Sequence, residues 1–323
     1  MKKFIHTFLL FTILTLGVFV IISIVLPYSK DGYIREQFVK MDLLSDTRRG
    51  PSIVLLGGSN CAFGYKSDLL ENSLKVPVIN AGLHAGFGLK LIVDDCFRYL
   101  HSGDILVLSP EYSHFFEEHT YGEKPLAELC YLSQDYFRLL CYRQRMVVIE
   151  NLPAVFRSNI ENAVATQFNY QFQSIYRSSG FNRYGDFIAH RDKNNVSYHG
   201  RISVHKHESK PNIKYFKELV SQLDTLRHRG VEVVLYPPAI AHSEFITQSK
   251  NIDWVKMSLR KAGYSFICTP EETSYSDNLF YDTAYHLSDY GAEKHTKKLI
   301  ALLLNHKSIE SPHCAYKSSY TGL

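Results

Sequence analysis

The chain of 323 residues lacks low-complexity runs, and its hydrophobic content is 45%, so we do not expect disorder. It also lacks a strong charge imbalance, because 36 basic and 32 acidic residues leave a net charge of +4. The basic residues are scattered rather than clustered, which argues against nucleic acid as a partner. The length allows one large domain or two small ones.

Motifs for metals and phosphates are also missing. The cysteines show neither C-x-x-C spacing nor a rhythm of zinc ligands, and their pairing cannot be deduced from sequence. The pair His205 and His207 has no accompanying carboxylate or thiolate pattern, which favours solvated loop histidines over a metal site. The stretch GGSNCAFG, residues 57–64, lacks the lysine that closes a phosphate loop. We therefore expect no metal and no cofactor.

An apolar run opens the chain, FIHTFLLFTILTLGVFVIISIVL over residues 4–26, and contains no acid, lysine or arginine. A helix of ~20 such residues spans a bilayer. No A-x-A-like cleavage site follows Leu26, so an uncleaved anchor is favoured over a signal peptide, which is the alternative. Lys2 and Lys3 favour a cytoplasmic N-terminus. The prediction is a single-pass membrane protein with its main domain extracytoplasmic, either periplasmic or at the cell surface.

Beyond this predicted anchor, residues 1–27, and a linker, residues 28–50, the pattern alternates between strands and helices. Buried strands are expected at 53–56, 76–79, 105–108, 231–236 and 265–268. Such repeated strand-helix units predict an α/β domain over residues 51–323 with a parallel sheet covered on both faces. Residues 113–207 break the pattern and predict a mostly helical insertion. Ligands of such sheets gather at the carboxyl ends of the strands.

The first stretch with chemical potential is SIVLLGGSNCAFGY, residues 52–65. A short apolar strand runs into Gly57 and Gly58, and the polar pair Ser59 and Asn60 follows at the expected rim of the sheet. A nucleophile or a phosphate ligand fits this position. The alternative is an ordinary turn in which Asn60 caps the next helix.

The second stretch is NLFYDTAYHLSDYG, residues 278–291, just before a predicted C-terminal helix. Asp282 and His286 are close enough in sequence for contact. A histidine held by a carboxylate through one ring nitrogen can take a proton from a serine hydroxyl with the other. The alternative is a surface pair or a polar cluster at the start of the helix.

Together these stretches resemble the SGNH hydrolase superfamily, also called GDSL-like lipases and esterases. In that family a serine follows strand one in a G-D-S-like block, and a D-x-x-H block near the C-terminus supplies acid and base. Residues 57–60 are similar to the first block, 80–82 to the second and 282–286 to the last. The resemblance implies a three-layer α/β/α flavodoxin-like fold, with Ser59 as nucleophile, His286 as base and Asp282 as its orienting acid. It also implies that Gly82 donates to the oxyanion.

Two departures from the family pattern affect the predicted site. The third block should read G-x-N-D, yet residues 109–115 read SPEYSHF, so the asparagine that donates to the oxyanion is missing. Asn60 and Tyr112 are the candidate substitutes, while Glu111 either orients a sugar hydroxyl or is a solvated rim residue. The last block has three residues between its acid and base where the family usually has two.

The resemblance implies a serine esterase or an O-acyl transferase, often of acetyl groups. Its substrate would be a cell-envelope polysaccharide, another acylated carbohydrate or a small extracytoplasmic ester. Loss of one oxyanion donor costs on the order of a hundredfold to a thousandfold in turnover. The alternative is therefore a catalytically degenerate SGNH-like protein that binds glycans or serves as a scaffold for polysaccharide assembly proteins.

Overall fold

The computed structural model describes residues 1–25, 32–46, 50–167, 174–192, 198 and 210–305. These residues form an α/β fold with a parallel sheet, which confirms the prediction from the alternating pattern. The strands are β1 (Ile53–Leu56), β2 (Val78–Asn80), β3 (Ile105–Leu108), β4 (Glu232–Leu235), β5 (Ile240–Ala241) and β6 (Ser274–Tyr275).

The helices lie mainly between and after these strands. They are α1 (Lys2–Val25), α2 (Glu36–Ser45), α3 (Ser59–Gly64), α4 (Ser67–Leu74), α5 (Leu89–Phe97), α6 (Glu117–Thr120), α7 (Lys124–Leu132), α8 (Gln134–Leu139), α9 (Tyr142–Gln167), α10 (Ile213–His228), α11 (His242–Thr247), α12 (Ser249–Lys261) and α13 (Asp289–Asn305).

The main sheet has the order β2-β1-β3-β4, and its neighbouring strands are all parallel. Both faces are covered, because alternate residues of β1 belong to two different apolar clusters. Val54 packs with residues of α5 and α10, whereas Leu55 packs with residues of α4 and α13. All of β1 is at most 1% exposed. A continuous apolar run is what a strand buried on both faces requires.

The strand predicted at 265–268 is reduced to a single bridge. Phe266 pairs in parallel with Leu235, and the Ile267 N–H donates to the Leu235 carbonyl oxygen at 2.8 Å. The chain then leaves the sheet, because Thr269 caps a short 3₁₀ helix, Pro270–Thr273, through a capping box. The short strands β5 and β6 form a separate parallel pair.

Helix α1 forms over Lys2–Val25. Among the residues that the structure describes, however, no helix combines the length and the apolar character that crossing a membrane requires. This finding contradicts the transmembrane anchor predicted over residues 1–27. The membrane contact and the single-pass, extracytoplasmic location depended on that anchor and are corrected with it.

The segment predicted as a linker contains helix α2, which packs against the core. Met41 and Leu44 are buried, and Lys40 is fully buried. The Lys40 ammonium donates to the carbonyl oxygens of Asn80 and Gly82, both at 2.8 Å, and to that of Gly185. Three acceptors match the three N–H bonds of an ammonium group. Helix α2 therefore supports the loop that follows β2.

The polypeptide between β3 and α10 is helical from α6 to α9 and then returns to the core. Its returning part forms a tight turn, in which Phe181 and Phe187 make an antiparallel bridge. Asp186 at this turn is fully buried and accepts hydrogen bonds from Ser67 and from the Asn80 amide at 2.6 and 2.9 Å. The insertion is thereby fastened to the same loop after β2.

Candidate active site

Ser59 is the first residue of α3 and lies immediately beyond the carboxyl end of β1. The two glycines before it permit close packing rather than an unusual turn, since Gly58 has a φ of −84°. A Cβ atom on Gly58 would lie 3.0 Å from the Ala85 Cα, and one on Gly57 would lie 2.5 Å from the Ser109 carbonyl oxygen. The loops after β2 and β3 therefore press directly against the serine turn.

Asn60 is buried and stabilises this turn. Its side-chain oxygen accepts from the Gly58 N–H at 3.0 Å, and its amide nitrogen donates to the Ser109 carbonyl oxygen at 2.7 Å. Both ends of the amide are thus engaged by main chain. These contacts give Asn60 a structural function at the position where the sequence offered it as an oxyanion donor.

Asp282 and His286 are in direct contact. The His286 Nδ1 and the Asp282 Oδ1 are 2.7 Å apart, and His286 is buried, with 7% of the residue exposed. A carboxylate only accepts hydrogen bonds, so Nδ1 of His286 carries a hydrogen, and Nε2 is the nitrogen that can accept or release a proton. The intervening residues form a turn in which the Tyr281 N–H donates to the His286 carbonyl oxygen at 2.7 Å.

Phe63 places this histidine over the serine helix. The rings of Phe63 and His286 stack with centroids 3.9 Å apart and planes 7° from parallel. Phe63 is four residues after Ser59 in α3, so both side chains lie on one face of the helix. His286 is thereby brought to the face that carries Ser59. Within the described part of the chain, no hydrogen bond joins the Ser59 hydroxyl to the His286 ring.

Tyr176 completes the surroundings of the carboxylate, and the sequence did not single it out. Its hydroxyl donates to Asp282 Oδ2 and lies 3.4 Å from His286 Nδ1. Burial raises the pKa of Asp282. The hydrogen bond from His286, the charge of His286 and the hydrogen bond from Tyr176 together outweigh burial, so the pKa of Asp282 is lowered. Asp282 is therefore held as the anion. Tyr176 belongs to the aperiodic part of the insertion, where no local pattern marked it.

Gly82 lies on the loop after β2, against α3. A Cβ atom there would be 2.9 Å from the Gly58 carbonyl oxygen and closer still to the Cys61 Cβ, so only glycine fits. The Gly82 N–H donates to the Asn80 side-chain oxygen at 3.2 Å. The glycine therefore adjoins the serine turn as the sequence requires, with its N–H engaged by Asn80 in this structure.

Tyr112 lies in the apolar core rather than at the surface of the site. It is fully buried, and its hydroxyl has no hydrogen-bond partner within the described residues. Burial raises its pKa strongly. Tyr112 is thus a buried side chain of the core, and its role as an oxyanion donor stays a prediction.

Glu111, by contrast, contacts the proposed nucleophile. The Ser59 Oγ and the Glu111 Oε1 are 3.4 Å apart, and the glutamate is 7% exposed. It is therefore not a solvated rim residue. The signal available in the sequence was its position, three residues after β3, at the edge where ligands of parallel sheets gather.

His84 is a further imidazole ring close enough to His286 for electrostatic influence. Its Nδ1 accepts from the Gly86 N–H at 2.9 Å, so Nε2 carries the hydrogen. Burial, and next the charge of His286, lower the pKa of His84 to about 4, which keeps the ring neutral. His84 is consequently a neutral imidazole with a fixed N–H donor.

Among the residues that the structure describes, no group of three histidine, cysteine, aspartate or glutamate side chains is arranged to hold a metal ion. His205 and His207 lie outside the described residues. His190 packs against Phe187, and its Nε2 is 2.9 Å from the Leu287 carbonyl oxygen.

Comparison of the chain with models of known protein families, with characterised proteins and with solved structures found no match.

Proposed function

We propose that the chain is a serine esterase or O-acyl transferase with an SGNH-like, three-layer α/β/α site, acting on an acylated carbohydrate or a small ester. Ser59 is the nucleophile, His286 the general base and Asp282 the acid that orients it. The observation that carries the proposal is the stacking of His286 on Phe63, because it joins the C-terminal Asp-His pair to the helix that begins with Ser59. The parallel sheet supports it, since Ser59 follows the carboxyl end of β1, where ligands of such sheets gather.

In the proposed reaction the Ser59 hydroxyl turns toward His286 and attacks the acyl carbon. His286 Nε2 takes the serine proton as the Oγ–C bond forms, and then gives it to the leaving alcohol as the ester bond breaks. The acyl group remains on Ser59 until water or an acceptor hydroxyl removes it. Asp282 stabilises the imidazolium that exists between these steps.

A second candidate is a binding protein that uses the same cleft without turnover. One observation favours it, namely that the Ser59 hydroxyl contacts Glu111 and makes no hydrogen bond to His286 within the described residues. Glycan binding or a scaffold role in polysaccharide assembly would then need no proton transfer at Ser59.

Covalent labelling with a fluorophosphonate separates these functions, because capture needs an accessible hydroxyl and an activating base. We expect the label on the peptide that contains Ser59, and we expect it to vanish in Ser59→Ala and in His286→Ala. Ser73→Ala, an exposed serine of α4, is the matched control and keeps the label. The same variants should lose or keep hydrolysis of p-nitrophenyl acetate: Ser59→Ala and His286→Ala lose it, and Ser73→Ala keeps it. Folded wild-type protein that is neither labelled nor active would refute the esterase and favour the binding protein.

A further inference from the structure

Glu111 occupies the space beside the nucleophile that an oxyanion donor would need. Its Oε1 is 3.4 Å from the Ser59 Oγ and would be 3.0 Å from a Cβ atom on Gly58. The Asn60 main-chain N–H also acts on this carboxyl group and lowers its pKa. The carboxyl group thus lies against the backbone of residues 58–60, directly beside the atom that attacks.

The surroundings of Glu111 favour its neutral form. Burial raises the pKa of Glu111 to about 7. The Asn60 main-chain N–H, the charge of His119 and the hydrogen bond from Ser59 oppose this rise, whereas the charge of Glu123 adds to it. His119 is itself paired with Glu123 at 2.7 Å. The other titratable side chains that face Glu111 are uncharged at neutral pH; they are the thiol of Cys61 and the hydroxyls of Tyr33 and Tyr285.

We propose that Glu111 in its protonated form donates a hydrogen bond to the acyl carbonyl oxygen while Ser59 attacks, and so replaces the amide donor that the third block lacks. This inference rests on the proposed function. As the Oγ–C bond forms, the carbonyl π electrons move onto the oxygen, and the serine proton moves to His286. The Glu111 O–H stabilises the new negative charge and keeps its proton throughout.

The charged form of Glu111 would have the opposite effect. A carboxylate a few ångströms from a developing oxyanion repels it, and the repulsion is strong in a site that excludes water. An ionised Glu111 would also accept a hydrogen bond from the Ser59 hydroxyl and so turn that hydroxyl away from His286. The activity should therefore decline as the pH rises and the carboxyl group loses its proton.

The decisive variant is Glu111→Gln, which keeps the shape and carries an N–H donor that does not ionise. We expect kcat/KM of wild type on p-nitrophenyl acetate to fall about tenfold per pH unit above neutrality, after subtraction of the Ser59→Ala background. Glu111→Gln should stay within about tenfold of wild type at pH 7 and lack this decline. Glu111→Ala should lose on the order of a hundredfold to a thousandfold relative to wild type at pH 7, and it should also lack the decline. Glu150→Gln, the same change at an exposed position of α9, should keep the wild-type profile.

Two results would overturn the assignment while leaving the esterase intact. If Glu111→Gln is as inactive as a folded Glu111→Ala, the glutamate acts as a carboxylate base. If Glu111→Gln is active but its kcat/KM still declines with rising pH as that of wild type does, another group causes the decline. Wild-type protein without hydrolysis or Ser59 labelling would instead refute the proposed function, and this inference would fall with it. If Glu111→Ala does not fold, wild type at pH 7 serves as the comparison, and a folded Glu111→Gln that loses about a hundredfold or more of kcat/KM overturns the assignment.

Discussion

The burial of Glu111 predicts a pH-dependent cost to stability that does not require any catalytic activity. Its pKa rises from 4.5 to about 7 on folding, so the folded state keeps the proton at pH values where the unfolded chain has released it. Each unit of pKa corresponds to about 1.4 kcal/mol, and the shift therefore amounts to about 3 kcal/mol. The favourable contribution is fully present below pH 4.5. It declines as the pH rises and is lost above about pH 7.

Glutamine at position 111 has no proton to lose, so Glu111→Gln should escape this decline. We expect the free energy of unfolding of the variant, minus that of wild type, to increase by about 3 kcal/mol between pH 4.5 and pH 8.5. Urea unfolding can be followed through the single tryptophan, Trp254, whose ring packs 5.7 Å from that of Phe116. The difference between the two free energies of unfolding isolates the contribution of position 111, because all other titrating groups are common to both proteins.

The matched control for this measurement is Glu150→Gln, whose side chain is exposed on α9. Its unfolding free energy should run parallel to that of wild type over the whole pH range. A difference between Glu111→Gln and wild type that stays constant from pH 4.5 to 8.5 would refute the reasoning. It would mean that Glu111 has the same pKa in the folded and unfolded chain, and that the carboxyl group is not desolvated beside Ser59.

Two further predictions concern the base and the loop after β2. Asp282→Asn should reduce kcat on the order of a thousandfold or more with the fold intact, because the proposed base loses its orienting anion. Tyr176→Phe, which keeps that anion, should retain kcat within about tenfold of wild type. Equal activity of Asp282→Asn and wild type would remove the aspartate from the mechanism. Gly82→Ala should destabilise the fold by about 1–3 kcal/mol in urea unfolding, because its Cβ would lie 2.9 Å from the Gly58 carbonyl oxygen. Gly64→Ala, with no atom within 4 Å of the new Cβ, is the control and should not be destabilised.

Local patterns in the sequence predicted the sheet and the serine turn. The apolar runs at 53–56 and 105–108 became β1 and β3 over the predicted residues, because a strand buried on both faces needs a continuous apolar run. The glycine pair correctly indicated close backbone approach at Ser59. The Asp282–His286 contact was also within reach, since the two residues are only four positions apart.

The remaining features depend on partners that are far away in the chain, which a local pattern does not register. Lys40 looked like part of a linker and is buried because carbonyl groups of two distant loops surround it. Tyr176 stands in an aperiodic insertion and reaches Asp282 across 106 positions. The surroundings of Glu111 could not be read from SPEYSHF, because the backbone of residues 58–60, which contacts it, belongs to another loop.

The support of the β2 loop by Lys40 has a consequence for the order in which the protein folds. Lys40 and Gly185 are 145 positions apart, and the pair Lys66 and Asp289 spans 223. Contacts of such separation form only after large loops have closed, which slows folding. During synthesis the Ser59 turn leaves the ribosome long before the insertion and the last helix exist. The segment that carries the proposed nucleophile is therefore made early, and it gains these supporting contacts only after the insertion and α13 have been made.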